Sequence, residues 1–97
     1  MKKGKTSSGF SFSVNENIIK DYRFVKLLAE ADALEPEQEL RAVIICSELI
    51  NMLLGKDGEE RLTKHVEKKG VASFDDVYTE VGEILKLLRE EDKEVKN

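Results

Sequence analysis

A small, mainly α fold of about four helices, with a short N-terminal β-strand or extended arm, is predicted by three features of the sequence. Apolar residues recur every three or four positions through most of residues 16–90. One Pro and six Gly leave few interruptions in 97 residues. Strict alternation of apolar and polar residues is confined to Phe10, Phe12 and Val14, with Ser11 and Ser13 between them. The length allows one domain with one core. We therefore divide the chain into a flexible N-terminal segment, residues 1–9, a helical domain, residues 10–90, and a flexible charged tail, residues 91–97.

The first nine residues are small, polar and basic and offer nothing to bury. Phe10, Phe12 and Val14 then share one face of a short strand. Its expected partners are Gly70-Val71-Ala72, a second copy of the strand, or the helices under an extended arm. Asn15 is a candidate N-cap for a first helix over 16–31, in which Ile18, Tyr22, Val25, Leu28 and Ala29 follow at helical spacing. Pro36 suits a helical first turn and pushes Glu35 out of helical geometry, so a second helix is expected over 36–54, stopped by Gly55.

The second helix is apolar on most sides. Leu40, Val43, Ile44, Ser47, Ile50 and Leu54 form one stripe, and Ile45, Leu49, Met52 and Leu53 form another. Such a helix is either the central post of the bundle or part of an interface. Lys56-Asp57-Gly58 reads as a turn into a short charged helix over 59–69, with Leu62 and Val66 on one face. Ser73 followed by Asp76 resembles a capping box, and Phe74, Val77, Tyr78, Val81, Ile84, Leu85 and Leu88 continue a fourth helix to about residue 90.

The chemistry offered by these residues is sparse. Sixteen Lys plus Arg against twenty Asp plus Glu give a formal charge of −4, which disfavours a dedicated nucleic-acid binder. Cys46 and His65 are single, so neither an internal disulfide nor a Cys/His zinc framework forms within the chain, and a reducing cytosol fits. Cys46 reads as a core filler and His65 as a surface residue. Gly4-Lys5-Thr6 lacks the upstream glycine and strand of a phosphate-binding loop. Asp75-Asp76 and Glu90-Glu91 are sequence neighbours that point apart on a helix. No apolar run approaches the roughly 20 residues of a membrane span, and no export signal follows the basic start. No cofactor, metal or catalytic residue is expected, and the chain is not read as an enzyme.

The Phe10-x-Phe12-x-Val14 strand, Asp21-x-Arg23, the Leu53-Leu54-Gly55 helix end, and Leu62 leading to Gly70-Val71 occur here in an order that resembles the small tail assembly chaperones of siphophages, across residues 10–90. The resemblance implies a phage or prophage protein of the bacterial host cytoplasm. It would bind and solubilise the aggregation-prone tape measure protein, help it assemble with the major tail protein, and be absent from the mature virion. It also implies a longer frameshifted product, with the short form ending in the charged residues after Glu90. Under this resemblance Phe10, Phe12, Ile45, Leu49, Met52 and Leu53 are the expected partner-binding residues; the alternative places all six in the protein's own core. A second reading is a helical regulator or adaptor that dimerises through the Phe10 strand and touches nucleic acid through its N-terminal lysines. An enzyme would need a site shared between chains.

Overall fold

A computed structural model describes residues 1–96, with side chains through Glu90. Strand β1 (Lys2–Lys5) and strand β2 (Ser11–Val14) form an antiparallel hairpin, followed by a 3₁₀ turn (Glu16–Lys20) and helices α1 (Tyr22–Asp32), α2 (Glu39–Leu54), α3 (Lys56–Val66) and α4 (Phe74–Lys96). The mainly α architecture with an N-terminal strand is as the sequence predicts. The tail expected to be flexible, residues 91–97, lies outside the described side chains, although α4 is continuous to Lys96.

The start of the chain departs from expectation. Residues 1–9 are not a loose segment, because β2 takes its partner from them in the register Lys2↔Val14, Lys3↔Ser13, Gly4↔Phe12 and Lys5↔Ser11. Lys2–Lys5 carries no apolar alternation, so its strand character comes from backbone pairing and from Gly4. A Cβ at Gly4 would meet the Phe12 ring at 2.6 Å, so the missing side chain is what lets that ring lie across the hairpin. Val71, proposed above as a strand partner, instead bridges Lys68 across a tight turn. Lys69 and Gly70 occupy that turn with φ of 53° and 79°, the left-handed pair that a two-residue reversal needs.

The helix boundaries shift for identifiable reasons. Asn15 caps as expected, its Oδ1 accepting from the Asn17 N–H at 3.0 Å, but only over the 3₁₀ turn. Asp21 then adopts extended geometry and caps α1, accepting from the Arg23 N–H at 2.8 Å, so residues 16–31 form two pieces rather than one helix. Pro36 sits in a turn closed by the Gln38 N–H donating to the Glu35 carbonyl at 2.9 Å, with the Glu35 N–H donating back to Gln38 Oε1 at 2.9 Å. That places proline at its favoured turn position and delays α2 to Glu39. Ser73 caps α4 as expected, accepting from the Asp76 N–H at 3.1 Å.

Between α2 and α3 the only break is Gly55, whose φ of 79° ends one helix and begins the next. Gly58 therefore lies inside α3, not in a turn, and a Cβ there would fall on the Leu54 Cβ. Gly58→Ala should lower stability even though alanine gains about 1 kcal/mol of helix propensity, because overpacking costs typically 1–3 kcal/mol. A lower urea midpoint at unchanged slope is the expected reading; a raised midpoint would show that the two helices can part at no cost.

The core is knotted by one fully buried side chain from each major element: Val14 of β2, Phe24 of α1, Ile50 of α2, Leu62 of α3 and Ile84 of α4. α2 is the central post, contacting β2, α1, α3 and α4.

Candidate functional site

The phase of α2 decides which of its apolar residues are available. Ile45, Leu49 and Leu53 are buried, and Met52 is half-buried against the core. Phe10 and Phe12 are buried beneath the hairpin as well. Five of the six residues expected to bind a partner thus belong to the protein's own core, and the sixth packs on it. The stripe expected to face inward is split: Ile50 is 1% exposed, whereas Leu40 is 83%, Ile44 61% and Val43 40% exposed.

Helix phase accounts for the split. α3 folds back from the Leu54 end, tied to α2 by Ser47 Oγ donating to Glu59 Oε2 at 2.6 Å and by Asn51 Nδ2 donating to Glu59 Oε1 at 3.4 Å. Its last turns reach Val43, which shares a cleft with Thr63, while Leu40 and Ile44 lie on the opposite side of α2 from Ile45, Leu49 and Leu53 and stay uncovered. With Val43, Leu40 and Ile44 form a contiguous exposed apolar patch at the start of α2.

Two clefts adjoin this end of α2. A larger one, about 320 Å³, lies between α1, α2 and α4, walled by Leu28, Ala31, Ala42, Ile45, Tyr78 and Leu85, with Asp32 and Arg89 as its charged members. A smaller one, about 210 Å³, is lined by Val43, Ile50 and Thr63 on one side and Ala72 and Val77 on the other. Phe74 lines both, as does Cys46. The Cys46 thiol is buried, as expected, and desolvation, helped by the negative charge of Glu59, raises its pKa from 9.0 to about 11. Folding therefore favours the protonated thiol: this contribution to stability is whole below pH 9 and declines as pH rises toward 11. Thiol reagents at mildly alkaline pH should label Cys46 slowly in the native protein and rapidly in guanidinium. Equal rates would mean the cleft opens freely to solvent.

A separate polar pocket of about 380 Å³ lies where the hairpin turn meets α3 and α4. Thr6 Oγ1 and Ser8 Oγ donate to Glu80 Oε1 at 2.7 and 2.8 Å, and Ser7 donates to both oxygens of Glu83 through its N–H and hydroxyl, each at 3.0 Å. Thr6 Oγ1 also accepts from the Phe10 N–H at 3.2 Å, so the buried hydroxyl is satisfied. Glu80 is 4% exposed. His65, exposed as expected, lies 2.9 Å from Ser8 Oγ through Nε2 and against the Phe10 ring at 5.3 Å.

Serine, histidine and glutamate meet here, but in the wrong order for nucleophilic catalysis. Ser8 donates to Glu80 and sits 2.9 Å from His65 Nε2, so the carboxylate engages the serine itself, whereas in a nucleophilic triad it holds the far side of the imidazole. The cluster instead fastens the hairpin to α4. Sequence reasoning missed it because its partners lie more than 50 residues apart; only the turn-forming character of Thr6-Ser7-Ser8-Gly9 hinted that this stretch was structured.

Among the described residues, no group of three or more His, Cys, Asp or Glu gathers to hold a metal ion, and no helix is long and apolar enough to cross a membrane. Comparison with protein-family models, with curated proteins and with solved structures finds no match to this chain. The class defined by the structure is a small helical domain built on a central α2 and strapped by an N-terminal hairpin.

Proposed function

We propose that this protein works by binding a helical protein partner rather than by catalysis, and that its client is a tape measure protein held soluble during phage or prophage tail assembly. The observation that supports the binding reading is the uncovered start of α2, where Leu40 and Ile44 are exposed and Val43 lines a small cleft with Thr63, Ala72 and Val77. An amphipathic client helix lays its apolar face on such a patch through anchors three, four and seven residues apart. The identity of the client rests on the resemblance of residues 10–90 to siphophage tail assembly chaperones. In that setting the protein acts in the bacterial cytoplasm, brings the major tail protein and tape measure together, and leaves before the particle is complete.

The docking residues of this reading are Leu40, Val43 and Ile44, not the six named from the sequence. Co-expression with the tape measure protein of the same phage tests it. Wild-type protein should carry that long chain into the soluble fraction, and Leu40→Asp combined with Ile44→Asp should abolish the effect while the variant itself stays folded. A double variant that solubilises the client as well as wild type would remove this surface from the function. A tape measure protein that stays insoluble with wild type would remove the client.

A further inference from the structure

α4 carries a glycine that the fold does not require. Gly82 stands in the middle of the helix, exposed, and a Cβ built on it would meet nothing within 4 Å. Glycine in a helix interior destabilises the helix relative to alanine. At Gly55 and Gly70 a left-handed backbone accounts for the residue, and at Gly4 and Gly58 a close neighbour does. At Gly82 neither reason applies within the chain.

The surroundings of Gly82 are self-complementary. At 100° per residue, Asp75, Tyr78, Lys86 and Arg89 all fall within about 40° of Gly82 on one face of α4, all four are exposed, and Tyr78, Gly82 and Arg89 also edge the cleft between α1, α2 and α4. Tyr78 is 60% exposed although its ring rests 5.7 Å from Phe74. Among the described residues, Asp75, Lys86 and Arg89 form no ion pair. If a second α4 crosses antiparallel with the twofold axis at Gly82, position 82+k of one helix faces 82−k of the other. Arg89 then faces Asp75 of the second copy, and Lys86 faces its Tyr78 ring, each pairing occurring twice. Oppositely charged and cation–aromatic partners are thus matched by the same axis that places the two glycines in contact, where the missing side chains allow close approach of the helix backbones.

We propose that this face of α4 is a homodimer interface, occupied by a second copy of this chain crossing antiparallel at Gly82. The two charges of opposite sign, equally spaced either side of the glycine, are what select a second copy over an unrelated helix: a twofold interface must be complementary to itself, and this stripe is.

The test is sedimentation velocity on the purified chain across micromolar to millimolar concentrations, with no client present, so the result stands apart from the chaperone reading. Wild type should show a concentration-dependent dimer, reduced at high salt. Arg89→Asp and Asp75→Arg should each weaken dimerisation at least tenfold, because each places like charges opposite one another twice, and the two together should restore it. Gly82→Leu should abolish the dimer while the thermal midpoint of the dilute monomer holds or rises, an opposition of sign that a purely structural glycine does not produce. A wild-type chain monomeric throughout would overturn the proposal. So would a dimer that all three single variants leave intact.

Discussion

Leu49→Asp is expected to leave no cooperatively folded protein at 25 °C. Leu49 is 5% exposed and lies on the buried face of α2 with Ile45 and Leu53 one turn to either side. An unpartnered carboxylate buried there costs several kcal/mol after relaxation, and the lost side chain removes packing worth about 2–5 kcal/mol more. A domain has roughly 5–15 kcal/mol in total. Leu40→Asp, nine residues earlier on the same helix, is the matched control. Leu40 is already 83% exposed, and a carboxylate in the first turn sits well in the helix dipole, so stability should change by no more than about 0.5 kcal/mol. Thermal unfolding followed by circular dichroism separates the two at once. A sigmoidal melt for Leu49→Asp near that of wild type would mean that the inner and outer faces of α2 have been assigned the wrong way round.

Phe24→Ala should be the most costly conservative truncation, at about 3–5 kcal/mol. Phe24 is fully buried, the largest of the five side chains that join β2 and the four α-helices, and α1 contributes no other fully buried residue. Removing the ring loosens α1 from α2, the helix it packs against most. At about 4–8 °C per kcal/mol for a domain of this size, the midpoint should fall by at least 12 °C. Tyr22, two residues earlier on α1 but 79% exposed, should lose almost nothing when changed to alanine. Similar losses at both positions would show that α1 is held by its ends rather than by its buried face.

Both contrasts turn on the angular position of a residue, and there sequence and structure part. The fourth helix could be read from its cap to Leu88, though not to its end at Lys96, because Ser73, Asp76 and the spacing from Phe74 to Leu88 are local signals on one amphipathic helix with one apolar side. α2 could be recognised as a helix for the same reason, but having two apolar stripes it carries no internal indication of which one turns inward. The sequence assigns the stripe from Ile45 to Leu53 to the partner; the structure buries it against the other elements and leaves Leu40, Val43 and Ile44 on the outer side of α2. In the same way Asp21-x-Arg23, noted as part of a family resemblance, proves to be a local cap in which the Arg23 guanidinium donates to the Asp21 carboxylate at 3.0 Å and holds its pKa below the usual range.

The hairpin shows the other limit. Phe10, Phe12 and Val14 announced a strand, but its partner, Lys2–Lys5, has no periodicity of its own. Antiparallel pairing is made by backbone groups that every residue carries, so a strand of lysines around one glycine is invisible until its neighbour is in place. The Thr6, Ser8 and Glu80 tie depends on a sequence separation of more than 70 residues. By itself, then, the sequence determined the mainly α class, the approximate places of four helices, the caps at Asn15 and Ser73, the stop at Gly55 and the burial of Cys46, since each follows from spacing or backbone preference within a few residues. The inward face of α2, the strand that completes the hairpin, the polar clasp on α4 and the uncovered start of α2 were decided by tertiary structure alone. Each depends on which distant segment lies alongside, and that is set by the packing of whole elements.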